Sequence, residues 1–258
     1  MTSLITYEFP LNERIRIFIR LEQLFHQFKH HLEGQNIIDK RAALSVLLDI
    51  IAIFKRNDLK SEILKEIERQ AGVLSKLAQN QHDNIDTQKL QELLAQLRET
   101  SQKIYASTGK IGNHLTDNNL FQSIAQRYSI PGGTCSFDLP EFHFWLSQND
   151  EIYQQDLQNW SAPFIEIGDA IDLVLGFIRS SCSVNEEIAP AGFFQVTLDT
   201  NLPNQVLRVS VDVEQPYFVE ISGGKHRCTI RFMQSSPNGG RPIQATQDVP
   251  FTLMRCVF

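Results

Sequence analysis

Several places in this 258-residue chain hold residue types that can do chemistry. In the stretch Ser129–Leu146, SIPGGTCSFDLPEFHFWL, Cys135, Asp138 and His143 offer a nucleophile, an orienting carboxylate and a base. A thiol paired with an imidazole would suit a small hydrolase or transferase. Such an arrangement is defined by geometry, which spacing does not supply, so these residues read first as structural. His26 and His30 stand four apart on a helical pattern and could share a metal, but no H-E-x-x-H motif or third carboxylate ligand accompanies them. Gly223-Gly224-Lys225 has the look of a phosphate loop without the upstream glycine or the Ser/Thr that should follow the lysine, and it reads as a turn.

Cations without a local counter-charge are the stronger chemical feature. Lys225, Arg227 and Arg231 cluster on one hairpin, and the two arginines share a strand face about 13 Å apart at the usual rise per residue. A face carrying two arginines meets solvent, carboxylates of its own domain, or an acidic ligand. The guanidinium fork matches a carboxylate, which makes an acidic peptide the natural partner. A basic hairpin is also compatible with a nucleic-acid-binding module, against which stand the formal net charge of −6 and the lack of aromatics interleaved on that strand. Arg16 and Arg20 lie one helical turn apart near the N-terminus, where Glu13 is an available partner.

Composition sets the frame for positioning these groups. Hydrophobic residues at 42% and charged residues at 21% describe an ordinary globular chain, neither disordered nor a disulfide scaffold. Without a signal-like N-terminus or a bilayer-length apolar run, a cytoplasmic protein that does not insert into membranes is expected. The four cysteines, Cys135, Cys182, Cys228 and Cys256, are dispersed and are expected to act as small apolar residues in a reducing compartment. No cofactor or metal is expected.

Leu4–Phe9 reads as an extended lead-in stopped by Pro10. Helical periodicity then runs from Leu11 to Leu32, from a cap at Asp39 to Phe54, from Asn57-Asp58 to Leu77, and from Asp86 to Ile104. The last two suggest an antiparallel hairpin that could project or pair with a second copy. A fifth helix is expected after a cap at Asp117, a short one at Glu151–Trp160, and a long one started by Ser161 and Pro163. Residues 185–192 read as the boundary loop. Beyond it the period becomes two, with alternation at Phe194–Leu198, Leu207–Val213, Tyr217–Ile221, Arg227–Phe232 and Val249–Val257. Helices followed by short strands define an α+β fold: a mainly helical domain over residues 1–190, and a small antiparallel β-domain over residues 191–258 packed on it.

Four segments taken together, YEFPLNERIRIFIRLEQLF, ILKEIERQ, SIPGGTCSFDLPEFHFWL and ISGGKHRCTIRFM, resemble the Z-ring-associated protein D (ZapD) family of bacterial cell division. They occur in family order across almost the whole chain. The resemblance implies a non-catalytic homodimer, cytoplasmic at the division septum, that binds the C-terminal tail of FtsZ and bundles its filaments to stabilise the Z-ring. It assigns tail binding to a basic surface matched here by Arg20, His143, Arg227 and Arg231, with Lys225 beside them. Where relatives carry an arginine after the IG-x-x-L segment, this chain has Asn119, and Arg127 is the candidate to substitute. Phe142, Phe144 and Trp145 would supply an apolar wall for the tail.

Overall fold

The structure, a computed structural model, describes residues 3–34, 36–79, 87–106, 111–224, 226–236 and 238–258. In chain order the elements begin with strand β1 (Leu4–Pro10) and helices α1 (Glu13–Glu33), α2 (Ile37–Arg56), α3 (Leu59–Gln79) and α4 (Thr87–Ala106). Helices α5 (Asn119–Arg127), α6 (Pro140–Leu146) and α7 (Asp150–Ser180) follow. The strands β2 (Cys182–Ala189), β3 (Phe193–Thr197), β4 (Asn204–Asp212), β5 (Phe218–Gly223), β6 (Arg227–Gln234), β7 (Ile243–Gln244) and β8 (Val249–Val257) complete the chain. The α+β class expected from the change of hydrophobic period is the one observed, helices first and antiparallel sheets after.

Two compact units form, one from Met1–Ile19 with Leu175–Phe258 and the other from Arg20–Val174. The first is a sandwich of two antiparallel sheets, ordered β1-β4-β8-β2 and β3-β6-β5, with β7 paired to the end of β6. Alternation decides which side chains meet. Leu207, Val209 and Val211 of β4 face Val196, Ile230 and Phe232 of the other sheet in one buried cluster. Aromatic rings close the layer, with Phe232 and Phe194 centred 5.0 and 5.2 Å from Phe251.

Here the structure extends or corrects the sequence reading in three ways. The N-terminal segment is extended and ends at Pro10, as read: it is strand β1, an edge strand, where the missing N–H of Pro10 costs no ladder bond. Its partner β4 lies almost two hundred residues away in sequence. The expected loop at 185–192 is strand as far as Ala189, paired in register with β8. Its polar run Asn185-Glu186-Glu187 is what an exposed edge strand carries to resist pairing with another chain. Third, Cys182 and Cys256 are register partners on β2 and β8, Cα atoms 3.9 Å apart, and form a disulfide. They are not independent small apolar residues; Cys228, fully buried, is.

Within the unit Arg20–Val174 the helices pack around an aromatic centre. Trp145 stacks on Trp160 at 5.3 Å, lies 5.1 Å from Tyr153 and 5.9 Å from Phe142, and donates its indole N–H to Asp156 at 2.8 Å. Of the aromatics in the stretch with the PGG turn, Phe142 and Trp145 are buried, whereas Phe137 and Phe144 are exposed. The short helix and the long helix expected on either side of Ser161 are one helix, α7, with Pro163 inside it. Tyr153, Leu157, Trp160, Phe164, Ile167, Ile171 and Val174 stay in phase across the proline and are all buried. A helix-interior proline costs about 3 kcal/mol, and burying one large apolar side chain contributes about 1.5–3 kcal/mol, so the continuous stripe wins.

Helix caps differ from expectation by short shifts. Asn36, not Asp39, caps α2 by accepting from the Asp39 amide at 2.9 Å, and Asn118, not Asp117, caps α5 by accepting from the Phe121 amide at 2.8 Å. The polar run Asn80–Asn84, which reads as a loop, the helix start read at Asp86, and Gly109, which reads as a helix break, lie outside the described residues. Helices α3 and α4 pack on each other, with Tyr105 donating to Glu68 at 3.1 Å.

Candidate functional site

The β5–β6 hairpin presents the two arginines. Arg227, Thr229, Arg231 and Met233 alternate with Cys228, Ile230 and Phe232, and because the latter three are fully buried the arginines project from the opposite face. The turn is tight. Gly223 has φ of 151°, and a side chain there would collide with the Arg227 carbonyl, so only glycine lets the Gly224 amide reach that same carbonyl at 3.1 Å. Arg227 and Arg231 are exposed, and neither makes an ion pair with a described residue. Contrast two other arginines of this unit: Arg179 and Arg208 both close on Glu8, at 2.8 and 2.9 Å. Lys225 lies outside the described residues.

Cross-strand register shows what surrounds the arginines. Phe193 on β3 and Glu220 on β5 stand directly opposite Arg231 on its two sides, and Thr197 stands opposite Arg227. Neither Phe193 nor Glu220 was singled out from sequence. The parity of Phe193 with Gln195 and Thr197 places it on the polar face, but which strand lies beside it is not a local property.

In the unit Arg20–Val174, Arg20 is exposed on α1 and makes no ion pair with a described residue, whereas Arg16, in the other unit, is taken by Glu13 at 3.1 Å. His143 sits on α6, its amide bonded to the Leu139 carbonyl and its own carbonyl accepting from Ser147, with the imidazole exposed. Asn119 is the exposed first residue of α5, directly after the Asn118 cap. Arg127 is held to Asp138 by a 2.7 Å ion pair, so its charge is already engaged.

The turn before α6 is built for close backbone approach. A Cβ on Gly133 would lie 2.8 Å from the Arg127 carbonyl oxygen, and Arg41 reaches across from α2 to Thr134 Oγ1 at 3.1 Å while lying over the Phe142 ring. This corrects the expected apolar wall. Phe142 is 2% and Trp145 5% exposed, both inside the core, and only Phe144, at 66%, faces out. The 100° step of a helix separates it from its neighbours.

The alternative chemical sites look weaker in place. Cys135 is exposed in a turn, and among the described residues it shares no hydrogen bond with His143. His26 lies 3.9 Å from Asp172, and His30 packs edge-on against His31. No group of three potential metal ligands is gathered among the described residues. Burial pushes the Cys228 thiol pKa up, which suits a core residue and not a nucleophile.

The chain is α+β and carries exposed cations, Arg227 and Arg231 on a sheet face and Arg20 on a helix, that make no ion pair with a described residue. The family model described as ZapD, a cell division protein, matches residues 19–231. "Cell division protein ZapD" of Methylococcus capsulatus is 48% identical over 257 residues, covering 100% of each chain. The proteins of that name from Chromobacterium violaceum and Aromatoleum aromaticum are each 36% identical, covering 99% and 98% of this chain and 100% and 97% of their own. The chain belongs to the ZapD family of cell division proteins. These relatives are named for cell division and not for an enzyme activity. Among the described residues no helix is long and apolar enough to cross a membrane.

Proposed function

We propose that the protein is a non-catalytic adaptor that binds the C-terminal tail of FtsZ and, as a bivalent homodimer, cross-links FtsZ filaments into bundles that stabilise the Z-ring. It works in the cytoplasm, at the septum, without a cofactor. The supporting observation is the pair of exposed arginines, Arg227 and Arg231, that no described carboxylate neutralises. Unpaired guanidinium groups on an acidic chain suit carboxylates of a peptide ligand. Arg20 and His143 add exposed polar groups, Lys225 belongs with them in the set that family resemblance assigns to the tail, and Asn119 stands at the position where that set has an arginine.

Two such sites on a symmetric dimer convert a modest single-site affinity into bundling through effective concentration, provided both tails are reached at once. The helical part, residues 1–190 of the sequence reading, is the dimerising element of this proposal. Exposed charge-assisted contacts weaken as salt rises, since the Debye length falls from about 10 Å at 0.1 M to about 3 Å at 1 M.

Anisotropy of a labelled FtsZ C-terminal tail peptide, titrated with the protein and with an Arg227→Ala/Arg231→Ala variant at two salt concentrations, tests the reading. Salt-sensitive binding that the folded variant loses is expected. Absence of binding by the unmutated protein refutes it.

A further inference from the structure

Recognition by arginine alone is indiscriminate: any acidic segment answers two guanidinium groups. What surrounds Arg227 and Arg231 on the outer face of the β3-β6-β5 sheet is therefore informative. Directly opposite residues of an antiparallel pair share a face, and neighbouring strands lie about 4.8 Å apart. The row through Arg231 accordingly reads Phe193, Arg231, Glu220 across the three strands, and the row through Arg227 reads Thr197, Arg227, with β5 turning away at Gly223.

Phe193 is 41% exposed and is not part of the buried cluster to which its neighbour Phe194 packs. An aromatic ring left on the solvent side of a sheet, one strand from an unpaired guanidinium, supplies apolar area beside a charge. Glu220 does not neutralise Arg231, since no ion pair joins them. Its carboxylate projects from the same face and disfavours a ligand carboxylate on that side. Arg227 has no acidic neighbour in register, so it is the less compromised cation of the two.

We propose that Phe193 and Glu220 make this face selective: it takes an extended acidic segment with carboxylates about 13 Å apart, one at each arginine, and an apolar side chain beside the carboxylate at Arg231. Phe193 is the apolar anchor, on the β3 side. Glu220 is the specificity determinant, excluding a further carboxylate on the β5 side and fixing which way the segment lies. This rests on the tail-binding reading above and adds to it which side of the arginines the ligand's apolar residue occupies. The occupant is an acidic peptide segment because charge complementarity favours it: the face is cationic where it is unpaired, on a chain of net charge −6.

The test uses the full-length protein and the labelled FtsZ tail peptide, with Phe193→Ala, Glu220→Gln and Thr197→Ala compared by anisotropy at one low salt concentration. All three substitutions are on exposed strand positions, and circular dichroism melts certify the fold. Phe193→Ala is expected to weaken binding about fivefold or more, the scale of an aromatic hot spot. Glu220→Gln is expected to tighten it about two- to fivefold by removing a repulsion of exposed charges, and Thr197→Ala to leave it unchanged. Should the unmutated protein bind and Arg231→Ala lose binding while Phe193→Ala and Glu220→Gln bind like the parent, the inference fails and the adaptor reading stands. Binding that survives Arg227→Ala/Arg231→Ala overturns the inference by placing the tail elsewhere, and no binding at all overturns both. A Phe193→Leu variant, which keeps apolar area on a strand, should recover most of the affinity lost on truncation to alanine.

Discussion

Replacing Glu8 by glutamine should lower stability by about 2 kcal/mol at neutral pH, and the deficit should close on acidification. Glu8 stands on β1 opposite Arg208 of β4, and its carboxylate accepts two parallel hydrogen bonds of 2.8 Å from Arg179, at the end of α7, and makes an ion-pair contact of 2.9 Å with Arg208 Nε. The three side chains are 17–27% exposed. Breaking a fully buried pair costs about 3–5 kcal/mol and an exposed one about 0–1 kcal/mol; partial solvent screening and the amide oxygen retained by glutamine put this network between them. Burial raises the Glu8 pKa, but the hydrogen bonds and charges of Arg179 and then Arg208 outweigh it and hold the carboxyl below its ordinary value. The sign follows from which state takes the proton first. As pH falls the unfolded chain protonates at the ordinary glutamate value, about 4.3, before the folded chain does. The contribution is therefore complete above that value and is lost as pH falls through the lower folded-state pKa. Urea unfolding of parent and Glu8→Gln at pH 7 and at about pH 3.5, with hydrogen exchange of the β1 and β4 amides, measures the gap. A gap of equal size at both pH values, or none at pH 7, would refute the reasoning.

Neighbouring aromatics of α6 should respond in opposite ways: Trp145→Ala is expected to destabilise by about 3–5 kcal/mol, because it empties the centre of the Trp160–Tyr153–Phe142 cluster, while Phe144→Ala should change stability by less than about 0.5 kcal/mol. Thermal or chemical melts read both, and comparable losses would count against the assigned helix phase. Iodoacetamide at neutral pH, followed by peptide mass analysis, should label Cys135, spare buried Cys228, reach Cys182 only after reduction, and reach buried Cys256 only after reduction and unfolding. Labelling of Cys182 and Cys256 in the unreduced protein would break the pairing, and unusually fast labelling of Cys135 would revive a nucleophilic role for it.

How much of this was legible beforehand differs by element. The Arg227–Arg231 face was readable because period-two alternation is a local property, and the fully buried Cys228, Ile230 and Phe232 bear it out. The edge strand β2 was not, because exposure replaces its apolar residues with Asn185, Glu186 and Glu187 and erases the alternation. Pro163 reads as a helix start for a related reason: a proline is a local signal, whereas the stripe from Tyr153 to Val174 is held by the packing of the whole unit. The aromatic content of the PGG stretch does not say which rings are buried; only the helix phase of α6 tells exposed Phe144 from buried Phe142 and Trp145.

By itself, the sequence determined the α+β class, the positions of most helices, the exposed arginine pair and, through four segments in order, the family. Those rest on patterns a few residues long, whose physical content is the 3.6- and 2-residue period of side-chain direction. Tertiary structure alone decided that β1 pairs with β4, that Cys182 meets Cys256, that Arg127 is taken by Asp138, and that Phe193 and Glu220 flank Arg231. Each of these is a meeting of residues that no local pattern links, chosen by which sheet and helix faces must be buried together.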